Sequence, residues 1–522
     1  MRLWVNNLVN ENNRTKKFIY NSLTTIIYQI VVMLVGFITP RVMLFYYGSE
    51  VNGLISSVTQ FISYFSLVEA GLAGAAVYSL YEPLSKKNNK EISSIVTAVK
   101  KFYNQAGVLF VILVISLSLI YPIFVKSESL SFELITILIL VLGMKGTLEF
   151  FSLAKYRAIL TADQKTYVVS ISSTIYVILN ALIIIVMSAF KVNIVLVNLV
   201  ALVALFVRSI ILNYYANKNY KIDYKEVPNF KSLDKRWHAF YLQILGVVQT
   251  GAPVVLATIF TDIKSVSIYS IYNMVINGIN GVLSIFTSGL SATFGDLIIR
   301  NEKERFKQAY SDFEYVYYII LAIIYTSSFI LIMPFIRIYT EGITDTNYYL
   351  PILGLLMVLN GLLYNIKTPQ GMLIISAGLY KETRIQSTIQ ALIIIIGGVC
   401  LTFKYGLNGI VIASCISNFY RTIDLVIFVE KNITHIPKSK TLKRIARIIF
   451  NILIVCFIAM KVNIEVKTIS NWIIYAIIFT VLSSFVVIFD NFLFERKQML
   501  SIYKRIINII RSEKYGKFRN GL

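Results

Sequence analysis

The stretch NSLTTIIYQIVVMLVGFITPRVML, residues 21–44, decides the fold: its one charged side chain is Arg41, beside Pro40. A helix rises about 1.5 Å per residue, so roughly twenty apolar residues cross a hydrocarbon core of about 30 Å. The apolar residues run continuously rather than alternating, which excludes a transmembrane β-barrel. Runs of the same kind recur through all 522 residues: six between Phe18 and Tyr215, six between Arg236 and Val429, then two near Ile445–Met460 and Trp472–Phe494. A hydrophobic content of 57% and a mean hydropathy of +0.69 exceed what a soluble domain of this length can bury. The expected fold is therefore an all-α polytopic membrane protein of about 14 transmembrane helices.

Working outward, a second copy of the unit emerges about 215 residues on. RSIIL from Arg208 resembles RTIDL from Arg421, and Pro40 is matched by Pro253. MKGTLEFF around Gly146 stands at nearly the same offset from LNGLLYN around Gly361, and Ala162–Lys165 is echoed by Ala377–Lys381. The expected organisation is an N-terminal lobe (1–216), a linker (217–235), a C-terminal lobe (236–434), a final helix pair (435–494) and a basic amphipathic tail (495–522). Six spans return the chain to its starting side, so the two pseudo-symmetric six-helix lobes share one orientation, with the transport path expected in the cleft between them. In the tail, Leu500, Tyr503, Ile506 or Ile507, and Ile510 follow helical spacing, with Lys504, Arg505 and Arg511 around the turn.

The net charge is +23, but Lys and Arg fall in short clusters between apolar runs. Membrane topology explains that better than nucleic acid does. Clusters at Lys86–Lys90, Arg157 and Lys165, the 217–235 linker, Arg300–Lys307, Lys381 and Arg384, and Lys438–Arg444 fall on one side if both termini face the cytoplasm. Opposite connections carry about one basic residue each, such as Lys126, Lys191 and Lys264. The expected location is a bacterial cytoplasmic membrane, and the first apolar run is too long for a cleaved signal. Cys400, Cys415 and Cys456 have no metal-like or redox spacing, and His238 and His435 are far apart. No phosphate-binding loop occurs. A transporter without cofactor or metal, not an enzyme, is expected.

Charge inside lipid is costly, about 2.5–3.5 kcal/mol for a single group on insertion scales, and usually marks function. Arg41, Lys145, Arg208, Lys367 and Arg421 are the candidate cationic cavity residues, with Glu69, Glu149 and Asp424 as ion-coupling candidates. Lys145 and Glu149 are four apart and Arg421 and Asp424 three apart, so each pair shares a helix face. Such pairs can equally be structural. Arg208 has no acid within a turn, which points it toward a wet cavity, and Glu69 can carry a coupling ion or pair with Arg41. Polar stripes add Asn21, Thr25, Tyr28 and Gln29, then Ser56, Gln60 and Ser63, then Asn273, Asn277 and Asn280. Amide and hydroxyl side chains either cement helices or line a hydrated cleft, and their place on the opening helices of both copies favours the cleft. Gln60, Asn273 and Asn277 join the candidate substrate-binding residues.

Pro40–Arg41, EAGLAGAA from Glu69 and RAILTADQKTY from Arg157 resemble the Wzx-type polysaccharide flippases. These belong to the multidrug/oligosaccharidyl-lipid/polysaccharide exporter (MOP) superfamily, with the MATE antiporters and the lipid II flippase, and the resemblance spans the whole chain. It implies a MATE-like pair of lobes that moves an undecaprenyl-diphosphate-linked oligosaccharide outward by alternating access, for capsule, O-antigen or teichoic-type polymer synthesis. The implied partners are that glycolipid, membrane lipids, a polysaccharide polymerase and glycosyltransferases. The alternative is a MATE-like cation-coupled multidrug exporter, which would have an acidic and aromatic cavity. A membrane glycan polymerase is disfavoured by the short outer connections.

Overall fold

The computed structural model describes residues 2–230, 237–287, 289–462, 466–505 and 507, with backbone alone for 2–16, 18, 237–240 and 242. It is 87% helical, and no strand occurs among the described residues. The first half comprises α1 (Arg2–Phe65), α2 (Leu72–Ser85), α3 (Asn89–Phe124), α4 (Phe132–Leu148), α5 (Ala154–Ala162), α6 (Thr166–Ala189) and α7 (Ile194–Asn219). The second half comprises α8 (Trp237–Phe260), α9 (Ile263–Thr287), α10 (Leu290–Ile299), α11 (Lys303–Tyr339), α12 (Pro351–Ile366), α13 (Thr368–Ala377), α14 (Arg384–Leu392), α15 (Gly398–Tyr405) and α16 (Leu407–Val429). The helices α17 (Lys438–Met460) and α18 (Ile469–Phe494) close the chain.

Twelve segments among the described residues are long and apolar enough to cross a membrane. The first of them, Ile19–Ser85, has 67 residues, about twice the length of a single crossing. Two helices meet inside it at Gly48, where φ is 79° and ψ is 176°. The other shortfall from the expected fourteen is α17, whose residues 443–460 still contain Lys443, Arg444 and Arg447.

Helix interruptions occur in both halves of the chain. Residues 49–85 are broken by a 3-10 turn (Ser66–Glu69) followed by Gly71 at φ 80°, ψ −20°. The matching span breaks between α9 and α10 at Gly289, with φ 80° and ψ −16°. Only glycine adopts this left-handed conformation without strain, so the same bend is fixed in both halves. The fourth spans break likewise: α4 passes through a π turn (Glu149–Leu153) into α5, and α12 meets α13 at Lys367.

The chain packs as two compact units. One holds residues 1–274, 342–347 and 394–410. Within it the first part of α1 runs parallel to α6: Lys17 meets Asp163, Asn21 meets Tyr167, Thr25 meets Ser170 and Tyr47 meets Val192. Past Gly48 the direction relative to α8 is antiparallel, with Ser57 on Thr258, Gln60 on Gly251 and Gly71 on Gln243. The close end of this seam is tight. A Cβ on Gly53 would lie 2.0 Å from the Ile263 carbonyl oxygen. Asn52 donates to Ser267 Oγ at 2.7 Å, and Asp345 accepts from the Ser49 backbone N–H and hydroxyl, both at 2.7 Å. Asp345 thereby caps the helix that begins after Gly48.

The other unit holds residues 275–341, 348–393 and 411–522. Its long α11 packs on α17, α18 and α12. A buried cluster of Phe294, Phe306, Tyr310, Leu373 and Leu425 joins α10, α11, α13 and α16. Of the expected amphipathic tail, Leu500 and Tyr503 are exposed, whereas Ile506, Ile510 and Arg511 lie outside the described residues.

Candidate functional site

The strongest concentration of intramembrane charge in the first unit starts at the π turn. A π turn inserts one extra residue into an α-helix. Arg157, eight residues after Glu149, therefore stands on the face a seventh residue would occupy, two turns along. Its Nη1 donates to Glu149 Oε1 at 2.9 Å, and its Nη2 lies 3.6 Å from Glu69 Oε1. Arg208, from α7, reaches the same Glu149 oxygen at 3.6 Å, and its guanidinium lies 5.8 Å from the centre of the Tyr176 ring on α6. The result is a chain of alternating charge, Glu69–Arg157–Glu149–Arg208, tying together three spans. Its formal charge sums to zero.

Two cavities flank this chain of charges. One of about 580 Å³ is lined by Arg157 with Tyr78, Tyr81 and Tyr103. The other, of about 510 Å³, is lined by Glu69 with Ser63, Ser66 and Gln243. Ala73, Gly74 and Tyr78 line both. The small residues of EAGLAGAA leave this space open, because none of them fills it with a side chain. One cavity wall thus presents a guanidinium among phenols and the other a carboxylate among hydroxyls and an amide.

Several sequence expectations change here. Arg208 is not without a carboxylate: Glu149 comes to it across the helix interface, a partner that spacing along one helix cannot reveal. It is 8% exposed, buried rather than facing a wide cavity. Lys145 does not pair with Glu149, which the two arginines occupy, and instead donates to Asn198 Oδ1 at 3.4 Å. Glu69 pairs with Arg157. Arg41 is half-buried. The first polar stripe is helix cement: Asn21 donates to the Gln164 carbonyl at 2.9 Å and accepts from Tyr167 N–H at 2.7 Å. Thr25 shares a hydrogen bond of 3.3 Å with Ser170. Gln60 packs on Gly251, whose missing Cβ makes room for its amide.

In the second unit Arg421 pairs with Asp424 as the spacing predicted, and Arg421 is 7% exposed. Lys367, at the break between α12 and α13, donates to Asn418 Oδ1 at 2.8 Å. Asn418 also accepts from Gln390 at 3.3 Å and donates to Asn360 at 2.9 Å. Asn273 is half-buried and Asn277 exposed, while Asn280 accepts from Asn365 at 2.7 Å.

One cluster was not anticipated. Arg444 meets Glu314 at 2.7 Å, with both side chains 2% exposed, and reaches Glu495 at 2.8 Å. Arg447 also holds Glu495. Glu314 further accepts from Gln370 and Thr441, each at 2.9 Å, and from Tyr310 at 3.2 Å. In the sequence Arg444 ends a basic cluster that reads as topology, so its burial left no signal. The signal available was Glu314, an acid at the entrance to a long apolar run. Glu495 lies just past α18. Burial alone would raise its carboxyl, but hydrogen bonds from Arg444 and the charges of Arg444, Arg447 and Lys440 outweigh that and hold it below the usual range.

No family model matches this sequence, and no curated protein sequence does. The fold, in contrast, is shared with solved transporters of the MOP superfamily. The lipid II flippase MurJ in an inward closed conformation superposes with a TM-score of 0.66 at 16% identity, covering 92% of this chain and 100% of its own. An inward-facing multidrug resistance MATE family transporter gives 0.65 at 13% identity, covering 81% of this chain and 99% of its own. An outward-facing MATE transporter gives 0.58 at 14%, covering 82% and 96%. The protein thus has the fold of a multi-pass membrane transporter or lipid flippase of this kind.

Proposed function

We propose that this protein is a flippase that carries an undecaprenyl-diphosphate-linked oligosaccharide from the inner to the outer leaflet of a bacterial cytoplasmic membrane, supplying polysaccharide synthesis. The observation that carries this reading is Arg157, which opens onto the tyrosine-walled cavity with Arg208 behind it. A diphosphate in bare hydrocarbon faces a penalty of tens of kcal/mol. A guanidinium suits it, because its planar fork donates two parallel hydrogen bonds. Tyr78 and Tyr81 are exposed and offer ring faces and hydroxyls for sugars. The carboxylates Glu69 and Glu149 keep the arginines in place until a phosphate competes for them. If two negative charges move outward, an inside-negative potential of 100 mV assists by about 4–5 kcal/mol. On this reading both termini face the cytoplasm and the two six-helix lobes rock about the path.

The test is translocation of a lipid-linked oligosaccharide in cells or proteoliposomes. Arg157→Ala and Arg208→Ala should each abolish it at normal protein level, and Arg421→Ala should impair it. Normal translocation in all three variants rejects the site.

A second reading, the MATE-like cation-coupled exporter, is favoured by one observation: Glu69 lines its own cavity, next to the tyrosines. Drug resistance on overexpression, lost in Glu69→Gln and unaccompanied by any glycan phenotype, would select it.

A further inference from the structure

Where α17 begins and α18 ends, a cavity of about 1090 Å³ opens on the side of the second unit. Five cations line it: Lys440, Lys443, Arg447, Arg496 and Lys497. The two carboxylates at its wall do not balance them. Glu495 is taken up by Arg444 and Arg447, and Asp490 accepts from Asn451 at 3.3 Å. Lys443, Arg496 and Lys497 have no ion-pair partner among the described residues, and all three are exposed. Arg496 lies with its guanidinium 5.0 Å from the centre of the Phe492 ring, which fixes it at the apolar edge. Deeper in, Arg447 Nη1 is buried without a hydrogen-bond partner. The rest of the wall is apolar: Phe450, Leu493 and Phe494 are each more than half exposed, on the outward faces of two spanning helices.

We propose that this cavity binds an anionic phospholipid, its phosphate headgroup among Lys443, Arg496, Lys497 and Arg447 and its acyl chains along Phe450, Leu493 and Phe494. A basic pocket between spans at the headgroup level recognises anionic lipid by charge and by the depth at which it holds the phosphate. A soluble phosphate would use the cations and leave the aromatic and aliphatic floor bare. The floor continues the apolar faces of α17 and α18, so lipid is the occupant that satisfies both halves of the site. Lysines that merely extended toward the headgroup layer would show no preference for one lipid and no fixed number bound.

The probe is phosphatidylglycerol against phosphatidylcholine, added to the full-length protein in detergent and read by native mass spectrometry. The expected result is retention of phosphatidylglycerol at a small fixed number, with a preference over phosphatidylcholine of roughly tenfold or more. The variant Lys443→Ala/Arg496→Ala/Lys497→Ala should lose that preference while its thermal midpoint without lipid stays unchanged. Lys443→Arg/Lys497→Arg should keep it. Equal retention of the two lipids overturns the proposal, as does an undiminished preference in the alanine variant. Displacement of phosphatidylglycerol by millimolar inorganic phosphate also overturns it, since the site would then read phosphate alone.

Discussion

Glu149 and Arg157 meet at 2.9 Å although eight residues separate them, because the helix between them carries one residue more than an α-helix would. The π turn thus converts a spacing that splays two side chains apart into one that aligns them. Arg208 and Glu69 then extend the pair into a relay across three spans.

The relay predicts unequal effects at its two arginines. Arg157→Ala strands Glu69 and leaves Glu149 only the longer contact to Arg208, whereas Arg208→Ala leaves Glu149 its closer partner. Thermal unfolding should show the larger loss for Arg157→Ala. A double-mutant cycle between Arg157→Ala and Glu149→Gln should return a coupling of about 0.5–3 kcal/mol. Additive effects would mean that the two side chains act separately.

At the tight seam, Asn52 donates to Ser267 Oγ at 2.7 Å. Asn52→Cys/Ser267→Cys should crosslink under mild oxidation and arrest transport, with recovery on reduction. Transport that continues in the crosslinked protein would show that this seam does not open during the cycle.

Gly53→Val places a side chain against the Ile263 carbonyl, where even a Cβ would lie at 2.0 Å. The expected cost is about 1–3 kcal/mol of overpacking, read as a lower thermal midpoint.

Arg444→Ala leaves Glu314 buried with its charge uncompensated. Breaking a buried pair from one side costs about 3–5 kcal/mol. Folded yield should fall sharply, and Glu314→Gln/Arg444→Met should recover much of it. A single variant as stable as the parent would show that Glu314 is held without Arg444.

Glu495 supplies a pH dependence. Its folded carboxyl titrates lower than an unfolded glutamate, which is about 4.3. The stability it contributes is therefore complete above that unfolded value and is lost as pH falls through the lower folded one. The thermal midpoint of the parent should drop across this acidic window, and Glu495→Gln should be flatter there. Parallel curves would remove Glu495 from the acid response.

The helices and their number were legible in the residues, because crossing a hydrocarbon layer demands long uninterrupted apolar runs wherever the chain folds. Arg421–Asp424 was readable because three residues along a helix share a face. The tertiary structure alone decided the partners of Arg208, Lys145 and Arg444. Glu149, Asn198 and Glu314 reach them from other helices, and no periodicity within one segment encodes which neighbour will lie beside it. Local spacing fixes what a helix is; the packing of one helix on another fixes which charges it can afford to bury.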